Sequence, residues 1–85
     1  MEYVLTFKNT NFAIKAEQYL LVKKLHVSAI PLPSDISAGC GISLRLMDDE
    51  IETAVSILRE NGIEFNLYAR EEVDKKMIHS EIKDA

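Results

Sequence analysis

The tightest constraint on the fold lies in residues 42–70. "ISLRLM", residues 42–47, alternates apolar and polar side chains: Ile42, Leu44 and Leu46 point one way, Ser43 and Arg45 the other. That period of two marks a half-buried strand. The period then changes. Asp48 is a candidate N-cap, and Asp49, Glu50 and Glu52 lie where a helix dipole favours negative charge. Ile51, Ala54, Val55 and Leu58 keep the spacing of a buried helical stripe. "NG" at 61–62 stops the helix, because Gly62 can take the left-handed conformation. "IEFNLYAR" returns to a period of two, with Ile63, Phe65, Leu67 and Ala69 on one side. A strand, a helix and a strand in that order must bury three apolar faces against one another.

The first half of the chain repeats the logic. "EYVLTF", residues 2–7, reads as a strand with Tyr3, Leu5 and Phe7 on one face. Asn9 or Thr10 can cap a helix in which Phe12, Ala13, Ala16, Tyr19 and Leu20 fall on one side, fading near Leu25. "HVSAIPLP" supports a strand from about Val27 to Leu32. Pro31 cannot donate to a ladder, which makes this an edge strand. The order strand–helix–strand–strand–helix–strand predicts an α+β, ferredoxin-like βαββαβ fold. Its four-stranded antiparallel sheet has spatial order 4-1-3-2, with both helices on one face. Residues 1–70 make the domain. Residues 71–85, "EEVDKKMIHSEIKDA", are polar and predict a mobile tail or a short helix carrying Val73, Met77, Ile78 and Ile82.

Composition narrows the function. With 85 residues there is room for one modest core. A net charge of −4 argues against a nucleic-acid partner, since phosphate binding needs clustered Lys and Arg. No apolar run approaches the ~20 residues that cross a bilayer, and the N-terminus does not read as a signal peptide. One cysteine rules out an internal disulfide framework and fits a reducing cytoplasm. His26, Asp35, Cys40 and His79 show no metal-ligand spacing, so neither a metal nor a cofactor is expected. His26 reads as a partly exposed histidine at a strand start.

The lone cysteine, Cys40, lies between Gly39 and Gly41 in the loop joining the second and third strands. The topology puts that loop at the end of the sheet where the first strand exits and the first helix begins. Cys40 is therefore expected near Phe7, Lys8, Asn9 and Thr10. There a thiolate would gain from the helix dipole, from the N–H groups of Asn11 and Phe12, and from the charge of Lys8. The glycines would leave room around the sulfur and let backbone N–H groups turn inward. The other reading of the same residues is structural: Gly39 and Gly41 form a bulge or turn, and Cys40 plugs the end of the sheet. Arg45 should stand on the open sheet face, either binding a partner's carboxylate or paired across strands.

"YVLTF", "AIKAEQYL", "IPLP", "SAGCGISLR" and "ILRENGIEF" together resemble the selenium/sulfur carrier protein-like family of small bacterial domains, over about residues 3–70. The most specific part is Ser37, Cys40 and Gly41 followed by Leu44 and Arg45. Ala38 and Gly39 stand where the family commonly has Ser-Ser before Cys-Gly. The resemblance implies a carrier that holds sulfur or selenium on Cys40 as a persulfide or selenosulfide, and partners that donate and accept that atom. The rival is a non-catalytic interaction module. In it the open sheet face, with Val4, Thr6, Ile30, Tyr68 and Arg45, forms a homodimer or docks a partner protein, and Cys40 is structural.

Overall fold

A computed structural model describes residues 1–83 of the chain. The elements in order are β1 (Glu2–Thr6), α1 (Thr10–Val22), β2 (Ser28–Pro31), β3 (Ile42–Met47), α2 (Ile51–Glu60), β4 (Asn66–Val73) and β5 (Lys76–Ile82). All strands join one antiparallel sheet of order β2-β3-β1-β4-β5. The first four strands of that order, read in reverse, are the expected 4-1-3-2 arrangement. The fifth strand was not expected.

Period-two alternation puts Leu5, Leu44 and Leu46 on the face that the helices cover. They share one buried cluster with Ala13, Ala16 and Leu20 of α1 and with Ile51, Ala54, Ile57 and Leu58 of α2. Alanines at 13, 16 and 54 let the helices approach closely. Each fully buried leucine contributes about 1.5–3 kcal/mol relative to exposure.

Helix ends follow local chemistry. Asn9 caps α1, its side-chain oxygen accepting the Phe12 N–H at 3.0 Å. At the other end Lys24 takes a left-handed φ of 63°, and the Leu25 N–H bonds the Leu20 carbonyl. That pattern usually recruits glycine. Gly62 stops α2 with φ 69° as expected. Asp48 does not cap α2. It pairs with the N-terminal ammonium at 3.5 Å, and Glu50 occupies the cap position without a side-chain bond to the helix. Two element limits also shift: α1 stops at Val22, before Leu25, and β2 is shorter than the expected 27–32.

The C-terminal expectation is corrected. Residues 71–73 prolong β4, and residues 76–82 return beside it as β5, so neither a mobile tail nor a short helix forms over these residues. Residues 84 and 85 of that segment lie outside the described residues. Asp74 and Lys75, with φ of 51° and 65°, make the two-residue turn of this hairpin. Both central residues at positive φ is the hairpin geometry whose twist matches the strands.

The face opposite the helices is also not as expected. Val4, Thr6 and Ser43 point to it, yet each has no exposed surface. The cover includes the ten-residue loop between β2 and β3. It starts beside Ile42, at the end of the sheet where β1 exits, and Asp35 within it bonds His79 of β5. His79 pairs with Arg70, and Arg70 with Glu2 at the entry of β1. The loop therefore crosses the sheet from one edge strand to the other, and Ile36 is buried along the way.

Candidate functional site

Cys40 lies where the topology puts it. It stands two residues before β3, at the end of the sheet that also holds the start of α1. Its sulfur is 3.8 Å from the Thr10 hydroxyl, to which the thiol can donate, and accepts the Ile42 N–H at 3.5 Å. Thr10 opens α1, so the sulfur meets the positive end of that helix through a side-chain hydroxyl. Of the two readings of the loop, the one that left the sulfur open is corrected: Cys40 is only 2% exposed and belongs to the main apolar cluster, as a cysteine plugging the end of the sheet would. Topology fixes a loop's end of the sheet, but not the depth to which one side chain sinks between two glycines.

The two glycines do different things. A Cβ on Gly39 would stand 2.1 Å from the Lys8 carbonyl oxygen, an impossible contact. Gly39 therefore lets the loop lie directly against the chain leaving β1, and this contact locates Cys40 beside α1. A Cβ on Gly41 would meet no atom within 4 Å. Packing leaves room for a side chain there, so Gly41 borders open space next to the sulfur.

The other expected residues divide. The Lys8 ammonium lies over the Phe12 ring, 5.6 Å from its centroid, and engages it through a cation–π contact. The Phe12 N–H, expected to face the sulfur, is instead held by the Asn9 cap; one donor proton cannot serve both. Asn11 and Ser37 are exposed, and no hydrogen bond joins either side chain to Cys40. Arg45 turns to Glu2, its guanidinium 2.9 Å from the carboxylate, and Arg70 approaches the same oxygen at 3.6 Å. The hydrogen bond from Arg45 chiefly holds the Glu2 carboxyl below its ordinary range. Arg45 is thus a cross-strand partner. The residues missing from the expectation are Thr10 as a sulfur contact and the Ile42 N–H. The helix start at Thr10 was legible as a neighbour of Cys40; the direction of its hydroxyl was not.

His26 is exposed, as expected, and receives the Glu50 carboxylate at its backbone N–H (2.8 Å) and ring Nδ1 (3.3 Å). His79 is its opposite. Its side chain is 2% exposed and its Nδ1 lies 2.8 Å from Asp35. Burial opposes ionisation of Asp35, but the hydrogen bonds from the His79 ring and backbone N–H outweigh it and hold that carboxyl below its ordinary range.

The fold and site define a small antiparallel α+β domain with one cysteine at the joint between a glycine loop and a helix start. Residues 2–70 match the model of the family described as putative Se/S carrier protein-like, and the chain belongs to that family. No curated protein and no solved structure matches it. The family match stops at Arg70, so the end of β4 and all of β5 fall beyond it.

Among the described residues no helix is long and apolar enough to cross a membrane.

Proposed function

We propose that this chain carries a sulfur or selenium atom on Cys40 and passes it between partner proteins. The observation that carries the reading is the pair of hydrogen-bond contacts at the sulfur, to the Thr10 hydroxyl at the start of α1 and to the Ile42 N–H. Family membership points the same way. Residues 1–70 hold the carrier machinery, and β5 completes the sheet beside it. A reducing compartment such as the cytoplasm suits a protein that must keep its only thiol free.

The chemistry conserves oxidation state. In the deprotonated form, Cys40 attacks the terminal sulfur of a persulfide on the donor. A new S–S bond forms to Cys40, the donor's S–S bond breaks, and the donor leaves as a thiolate. Delivery reverses the roles: an acceptor thiolate attacks the terminal atom, and Cys40 leaves as a thiolate. Selenium follows the same steps as a selenosulfide. The Thr10 hydroxyl and the Ile42 N–H lie within hydrogen-bond reach of the sulfur as it attacks and as it departs. The start of α1 lies beside the sulfur, at the positive end of the helix dipole. Gly41, where packing leaves room for a side chain, borders the path to the sulfur once the loop opens.

The burial of Cys40 favours a second reading, in which the thiol is a packing residue at the end of the sheet. One experiment decides. The protein is incubated with a cysteine desulfurase and cysteine, then measured by intact and peptide mass spectrometry. A gain of one sulfur atom on the peptide containing Cys40, absent from Cys40→Ser, is the expected result. No adduct on a folded protein, under conditions where the desulfurase loads a control acceptor, establishes the packing role.

A further inference from the structure

The carrier reading requires a donor to reach a sulfur that is 2% exposed, so the β2–β3 loop has to open. That loop is tied down at the far edge of the sheet, where Asp35 bonds His79. The two-residue turn at Asp74 and Lys75 makes Val73 and Lys76 a hydrogen-bonded pair, and such pairs alternate along the ladder. Residues 78, 80 and 82 therefore bond β4, while the backbone groups of Met77, His79 and Glu81 point outward from the edge. One outward group is already taken. The His79 N–H donates to Asp35 Oδ2 at 3.0 Å, and the ring Nδ1 lies 2.8 Å from Asp35 Oδ1. A single carboxylate thus grips both backbone and side chain, 44 residues away in sequence. Pro33, Ser34 and Asp35 of the loop share a cleft with Arg70, Lys76 and His79.

We propose that the Asp35–His79 contact is a clasp holding the Cys40 loop closed, and that its release is the step that uncovers the sulfur for transfer. The proposal rests on the carrier reading for its purpose, not for its mechanics. Three features support it. Asp35 and Cys40 lie on the same loop, whose base is tied by the Leu32 N–H to the Gly41 carbonyl. At Asp35, no other hydrogen bond from the loop to β5 competes with this one among the described residues. The clasp is also imperfect: His79 Nε2 is buried without a hydrogen-bond partner among the described residues. An unpaired buried nitrogen raises the free energy of the closed form, which keeps opening within reach.

The test is the rate at which Cys40 reacts with iodoacetamide at fixed pH, in native buffer, on the full chain. While closing outruns alkylation, that rate reports the open population. Asp35→Ala and His79→Ala should each react about tenfold faster than the parent. The double variant should be no faster than either single, because both remove one interaction. Asp35→Asn, which keeps an acceptor for the N–H but loses the charge, should fall between. His26→Ala, which breaks the other histidine–carboxylate contact, should react at the parent rate. Circular dichroism and thermal melts confirm that each variant is folded. Should Ala replacements unfold the chain, Asp35→Asn alone carries the comparison. Folded Asp35 and His79 variants that react at the parent rate overturn the clasp, as does an equal acceleration in His26→Ala. Sulfur loading by a desulfurase is scored separately. Faster alkylation with no loading of the opened variants leaves the clasp standing and removes the carrier; loading with unchanged alkylation does the reverse.

Discussion

Gly39 and Gly41 flank one sulfur yet answer to different forces. Gly39 is fixed by the Lys8 carbonyl, which a methyl group would strike. Gly39→Ala must push the loop away from β1, and should destabilise the protein by about 1–3 kcal/mol, read from urea unfolding, while raising the alkylation rate of Cys40. Gly41→Ala meets nothing in the folded state. Its stability should stay within about 0.5 kcal/mol of the parent, while sulfur loading slows because the added methyl borders the approach. Equal stability losses in both would mean that Gly41 is a packing residue too. The placement of Cys40 beside Thr10 was legible in the sequence because element order alone brings that loop to the start of α1. Its burial was not. Nothing in "SAGCGIS" records that Gly39 lies against the Lys8 carbonyl, nor that Asn9 takes the Phe12 N–H.

Among the elements, both helices and the first four strands could be read directly, because each carries a clean period and a recognisable stop. Asn9, Gly62 and the alternation in "ISLRLM" each state their role locally. β5 does not. Ile78 and Ile82 stand four apart, which fits one face of a helix as well as alternate positions of a strand with Ser80 between them. Its turn, Asp74-Lys75, lacks the glycine that announces such a hairpin. Two consequences can be measured by thermal or urea melts. Asn9→Ala should cost about 1 kcal/mol by freeing the Phe12 N–H. Lys75→Gly, at φ 65°, should raise stability by up to about 1 kcal/mol, since glycine takes that conformation without a Cβ penalty. A loss on Lys75→Gly would mean that its side chain makes a contact worth more than the backbone strain.

Across the whole molecule, ion pairs tie together strands that the sequence separates widely. Arg45 and Arg70 meet on Glu2, joining β3 and β4 across β1, and Asp35 joins the loop to β5. Both carboxyls are held below their ordinary ranges in the folded protein. The unfolded chain therefore takes up protons first as the solution is acidified. The stability these groups supply is full above pH about 4–4.5 and is lost as pH falls below that range through their folded values. Urea midpoints should drop between pH 6 and 3, and the drop should shrink in a Glu2→Gln, Asp35→Asn double variant. An unchanged slope would show that other carboxyls dominate. These long-range pairs were the least legible part of the fold. A sequence announces that Arg45 and Glu2 share a sheet face, but not that Arg45 chooses Glu2 over solvent.

Asp35 occupies a rung on the outer rail of the last strand, as a neighbouring chain would if one lay alongside. While it does so, copies of the molecule have one fewer place to zip together. On the proposed clasp, an opening that frees the thiol also vacates that rung. Release of the proposed clasp would thus leave the last strand one rung readier to pair with that of a second copy, a cost that short openings and dilute company keep small.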